Sequence, residues 1–142
     1  MTDAGLLVAL VLVTGPVLAS FFATVVARLP RGQPVTGRSR CNSCGRRLGA
    51  LSLVPILSFL LLRGRCRRCG APIPRQLLFF ELAGLGLAIH VVLIMGPSPL
   101  ALVSLVLALT LLDIAGIVLR HLYIPDVLSL PLIPAGLVVA LL

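Results

Sequence analysis

Apolar stretches long enough to cross a bilayer alternate with one polar stretch along this chain. Gly5 to Ala27 runs for 23 residues without a charge, enough for a helix to span a hydrocarbon core of about 30 Å. Pro16 lies inside it, and spanning helices tolerate proline where neighbours re-satisfy the freed carbonyl. Leu77 to Met95 predicts a second span and Leu100 to Leu119 a third, with Gly96-Pro97-Ser98-Pro99 as the tight turn between them. Arg120-His121 closes the third, Pro125-Asp126 restarts the chain, and Val127 to Leu142 predicts a fourth span, incomplete at 16 residues. Arg28 to Arg75 is polar. Within it, Leu48 to Leu62 is uncharged for 15 residues and broken by Pro55. That is too short to span, so it is expected to lie against the membrane surface or to re-enter it. The pattern predicts an all-α multi-pass membrane protein in three parts: residues 1–27 as the first transmembrane helix, 28–76 as a loop domain, and 77–142 as helices two to four.

Composition strengthens this. Of 142 residues, 59% are hydrophobic and 11% charged, against about 25% charged in soluble domains. A soluble fold of this size cannot hide that much apolar surface. The head, Met1-Thr2-Asp3, carries no positive side chain and the apolar run behind it is long, which argues against a cleaved signal peptide.

Charge sets the orientation. The net charge is +8; every basic residue is Arg, and eleven of the twelve arginines lie between Arg28 and Arg75, the twelfth being Arg120. With the N-terminus outside, three crossings place both basic regions in the cytoplasm, as the positive-inside bias requires. The loop is therefore expected in the cytoplasm of a bacterial inner membrane, its arginines facing anionic lipid head groups. Nucleic acid is not expected as a partner, because Phe59 is the loop's only aromatic side chain and single strands need aromatic stacking platforms.

The loop also holds all the cysteines. Cys41-Asn42-Ser43-Cys44-Gly45 and Cys66-Arg67-Arg68-Cys69-Gly70 are two copies of one pattern. Two residues between sulfurs let one tight turn aim both thiolates at one metal, and the glycine permits the left-handed backbone that closes the turn. The pairs stand 21 residues apart, just beyond the usual spacing of about 15–20 for such zinc sites. Disulfides are disfavoured in a reducing compartment, and two matched pairs suit zinc better than redox chemistry. Cys41, Cys44, Cys66 and Cys69 are thus the expected ligands of a structural zinc ion, since four thiolates close the tetrahedron and leave no open position.

Acids inside a membrane are costly and commonly functional, which singles out Glu81 and Asp113. For Glu81, near the start of its span, a hydrogen bond to a neighbouring helix or a position near the interface is the expected role; for Asp113, structure and function weigh equally. His90 and His121 are expected to pack or to lie at the interface, and Tyr123 to anchor there.

Further residues carry a resemblance. Ser20-Phe21-Phe22 followed by Arg28-Leu29-Pro30, the block Arg40 to Gly45, the run from Val54-Pro55 through Leu60-Leu61-Leu62-Arg63-Gly64 to Cys66 and Ala71-Pro72-Ile73, Glu81-Leu82, Leu119-Arg120-His121, Ile124-Pro125-Asp126 and Leu130-Pro131 together resemble the prepilin leader peptidases. The likeness runs from about Ser20 to Gly136. It implies a polytopic aspartic endopeptidase that removes the leader from type IV prepilins or type II secretion pseudopilins, with methylation of the new N-terminus by S-adenosylmethionine. Such chemistry uses two carboxylates near one water, one ionised and one protonated.

The resemblance makes Asp126 and Asp113 the candidate catalytic residues. The family's first aspartate stands eight residues before the Pro-Asp aspartate, where this chain has Val118; Asp113 is the nearest acid upstream. The family's Gly-x-Gly-Asp motif does not occur in these 142 residues, and its Gly-Ser-Phe-x-Asn start is altered to Ala19 and Ala23. The expectation is a truncated or degenerate peptidase, with a non-catalytic assembly partner of a pilus or type II secretion system as the alternative.

Overall fold

The computed structural model describes residues 3–29, 32, 34, 36–41, 43–49 and 54–140. Its helices are α1 (Asp3–Arg28), α2 (Leu57–Leu61), α3 (Arg75–Met95), α4 (Pro99–His121), α5 (Asp126–Ser129) and α6 (Leu132–Ala140). Three of them, α1, α3 and α4, are long and apolar enough to cross a membrane, and each begins and ends within two residues of the predicted span. The turn before α4 is cut by Ser98, whose hydroxyl accepts from the Ala101 N–H at 3.3 Å, with Pro99 in the first turn where no N–H is needed. At its far end Leu122 takes the left-handed conformation, φ 56°.

Small residues decide where α1 and α3 meet. Gly15 and Ala19 on α1 face Gly84 and Ala88 on α3, four residues apart on each helix. A Cβ added at Gly15 would lie 2.6 Å from the Gly84 carbonyl oxygen and 2.7 Å from the Ala88 Cβ. Only glycine lets the backbones approach this closely, and close packing is what drives helix association in lipid. α4 then lays a stripe of every fourth residue against the pair: Ala101, Leu105, Leu109, Asp113 and Ile117, all buried. Val11, Ala19, Ala88 and Val91 complete one apolar cluster with the first three of these, and Ala23, Val26, Phe80 and Ile117 form a second.

Beyond α4 the chain is helical and apolar but shorter than a full span. The predicted fourth span is divided into α5 and α6, and neither is of membrane-crossing length. Pro131 and Pro134 each remove an N–H from this segment, which weakens a continuous helix. Part of Leu48 to Leu62 forms the five-residue α2, with Leu57, Leu60 and Leu61 exposed. Leu51 to Leu53 of that stretch, Pro30 and Asn42 of the resemblance, and Leu141-Leu142 of the fourth span lie outside the described residues.

Candidate functional site

The two cysteine pairs fold into the same turn. Cys41 N–H donates to the Arg46 carbonyl at 2.9 Å, Gly45 N–H to the Cys41 carbonyl at 2.9 Å, and Leu48 N–H to the Ser39 carbonyl at 2.8 Å. Adding 25 to each number gives the second turn: Cys66 N–H to Ala71, Gly70 N–H to Cys66, and Ile73 N–H to Gly64. Isolated bridges Arg40–Arg47 and Arg65–Pro72 obey the same offset. Gly45 and Gly70 sit at φ 67° and 68°, the left-handed region that side chains avoid and that these turns require.

The turns face each other. The four sulfurs lie within 4.8 Å of one another, with Cys41 Sγ 3.8 Å from Cys69 Sγ. A tetrahedral ion with metal–sulfur bonds of about 2.3 Å needs sulfurs about 3.8 Å apart, so the cluster can hold a metal ion. Backbone amides prepare the sulfurs for it. The N–H groups of Cys69 and Arg68 pull the Cys66 thiol down to about 6, and those of Cys44 and Ser43 lower Cys41. At Cys69 the Ala71 N–H pulls the same way, but desolvation and the three neighbouring sulfurs push the thiol up to about 11. A fourth negative sulfur is thus disfavoured beside the others, and a cation at their centre removes that conflict.

A carboxylate ties this loop to the helices. Glu81, buried in α3, accepts from Ser20 Oγ of α1 at 2.8 Å and from the Ile56 N–H at 2.6 Å. The bond to a neighbouring helix fits the structural role expected of Glu81. The bond to Ile56 has no counterpart in the sequence reading. Ile56 sits at φ 62°, a genuine outlier for a β-branched residue, and the carboxylate contributes to holding it there. Behind it, Arg63 and Gly64 turn left-handed at φ 50° and 66°, and Gly64 N–H caps α2 by donating to the Phe59 carbonyl at 2.8 Å.

The aspartates are placed differently. Asp113 is sealed within the α4 stripe, and neither carboxylate oxygen has a hydrogen-bond partner among the described residues. It lies eight residues inside the His121 end of its helix, about 12 Å of rise. Asp126 is exposed in the first turn of α5, beyond that end. The fold gives the two unlike surroundings, and neither belongs to the cysteine cluster.

Comparison with known proteins gives the chain its relatives. The model of the bacterial peptidase A24 N-terminal domain matches residues 13–95, the region that contains α1, both cysteine turns and α3. Prepilin leader peptidase/N-methyltransferase from Burkholderia pseudomallei is 36% identical over 163 aligned residues, covering 96% of this chain and 53% of the relative. The proteins of that name from Myxococcus xanthus and Klebsiella pneumoniae are 36% and 35% identical, covering 90% and 87% of this chain and 38% and 58% of their own lengths. The chain thus spans about half the length of the curated relatives it matches. No solved structure matches. A membrane-embedded helical scaffold that carries paired cysteine turns, matched over most of its length by such relatives, belongs to the prepilin leader peptidase/N-methyltransferase family of bacterial A24 peptidases.

Proposed function

We propose that this chain acts in the processing of type IV prepilins or type II secretion pseudopilins at the bacterial inner membrane, with a structural zinc ion in its cytoplasmic loop. The match over residues 13–95 carries this reading, because one matched unit contains both the cysteine cluster and Glu81, which accepts from the loop's Ile56 N–H. Zinc suits a closed set of four thiolates, which leaves it no open position for chemistry. The parts are the first transmembrane helix at 1–27, the zinc loop at 28–76 and the remaining helices at 77–142. The N-terminus lies outside, and the loop arginines face anionic head groups of the inner leaflet. Leu57, Leu60 and Leu61 of α2 rest on the same surface.

Asp113 is the better placed of the two candidate catalytic carboxylates. It is buried and unpartnered among the described residues, and an intramembrane acid with no structural bond there is a functional candidate. Its counterpart is an aspartate from a Gly-x-Gly-Asp segment, a motif these residues do not contain. The test is prepilin cleavage in membranes that hold this chain together with a C-terminal fragment bearing that motif. Cleavage is expected, with a loss of about a thousandfold or more in Asp113→Asn and little change in Asp126→Asn. Methyl transfer to the new N-terminus from labelled S-adenosylmethionine is read in the same membranes.

A second reading is a non-catalytic docking partner for prepilins or secretion components. Val118, where the family carries an aspartate, and the separate settings of Asp113 and Asp126 favour it. Recovery of a bound prepilin with no cleavage in the presence of the fragment selects this reading over the first.

A further inference from the structure

Between the cysteine turns and the ends of α1 and α3 lies a cavity of about 900 Å³, at the upper end of small-molecule sites. Among the described residues seven arginines line it, including Arg28, Arg38, Arg47 and Arg67. The whole chain has four acids, and none falls between Arg28 and Arg75. One carboxylate reaches the cavity, Glu81, and its two oxygens already accept from Ser20 and Ile56. The arginines outnumber the anionic groups of the lining, which are Glu81 and the sulfurs of Cys41 and Cys66.

The cavity is also deep. Ser20 and Glu81 line it, eight residues inside the Arg28 end of α1 and six inside the Arg75 end of α3. Those offsets correspond to about 12 and 9 Å of helix rise. Ala23, Leu62 and Leu77 line the space between. A free phosphate satisfies the arginines and leaves the apolar stretch of Ala23, Leu62 and Leu77 uncovered. A cation is repelled at the mouth. An occupant that meets both demands carries a phosphate at one end and hydrocarbon at the other.

We propose that this cavity is a specific site for one anionic phospholipid, its phosphate on the arginines and the upper part of its acyl region between α1 and α3. The proposal rests on the reading that these arginines face the inner leaflet, and it adds a defined pocket to a general attraction. It also gives the loop a second tie to the helices, through lipid rather than through Glu81.

The experiment is native mass spectrometry of the full chain released from nanodiscs of mixed phosphatidylglycerol and phosphatidylcholine. The wild type is expected to retain one phosphatidylglycerol. Thr24→Trp fills the cavity without altering charge and is expected to lower that retention about tenfold or more. Arg38→Gln/Arg47→Gln is expected to lower it, and Arg38→Lys/Arg47→Lys to preserve it. Metal content measured on each variant reports whether the loop still folds; a variant that loses metal is replaced by Ala27→Trp, which fills the same cavity from the next turn of α1. Retention unchanged by both filling variants means that surface charge alone attracts lipid, and overturns the proposal. Displacement of the lipid by millimolar inorganic phosphate, with the phosphate retained instead, also overturns it in favour of a free-anion site. Protease access to the loop in sealed inside-out and right-side-out vesicles is scored separately. A loop cut only from the outer side rejects the orientation, whatever the lipid result.

Discussion

The helical bundle and the cysteine loop are stabilised by opposite means. In the bundle, Gly15 against Gly84 and Ala88, and the α4 stripe from Ala101 to Ile117, bury side chains almost completely. In the loop, no described residue from Leu29 to Pro74 is buried. Its described residues form no core, only turns closed by backbone hydrogen bonds and four convergent sulfurs. The bundle is held by shape and the loop by its turns and a cysteine cluster able to hold an ion, so the two should fail independently.

Three measurements bear on that separation. The largest effect is expected from removing the metal, by chelation or by Cys66→Ser. The loop should lose its order and become open to proteolysis, while helical circular dichroism stays near its starting value, because a small metal domain without a core is unfolded without its ion. Simultaneous loss of both signals would mean that the helices lean on the loop. Next, Gly84→Leu should drive α1 and α3 apart at a cost of about 3 kcal/mol, read as a lower thermal midpoint in detergent. Metal content should be unchanged, since the cysteine turns do not touch that contact. The smallest effect is the most informative. Glu81→Ala leaves the Ile56 N–H without its acceptor, at a cost of about 1–2 kcal/mol. Proteolysis between Val54 and Arg75 should quicken with metal still bound, which would identify Glu81 as the joint between two otherwise separate parts.

The sequence exposed what depends on composition and period, and concealed what depends on a single backbone contact. The three membrane-length helices were legible because an uncharged run of about 20 residues has few other solutions. The convergence of Cys41, Cys44, Cys66 and Cys69 was legible because their spacing repeats. The division of the last segment into α5 and α6 was not, although Pro131 and Pro134 were visible, because hydropathy is blind to where a helix breaks. The acceptor role of Glu81 toward α1 could be expected from a carboxylate in an apolar span. Its bond to Ile56 could not, since nothing marks an isoleucine for a left-handed backbone. Asp113 falls between these cases: its cost in a membrane was plain from sequence, whereas its place in the i, i+4 stripe of α4 needed the structure.

The offset of 25 residues between the cysteine turns has a consequence for biosynthesis. Each turn offers two sulfurs, half of what a closed site needs. At about 5–20 residues per second, the second half leaves the peptidyl transferase roughly one to five seconds after the first. Through that interval the nascent chain carries an unfinished half-site behind a first span already made, while α3 has yet to be translated. A metal that needs all four sulfurs can therefore be enclosed only after the second turn has been made, and a shortage of such an ion should show first as degraded newly made chains.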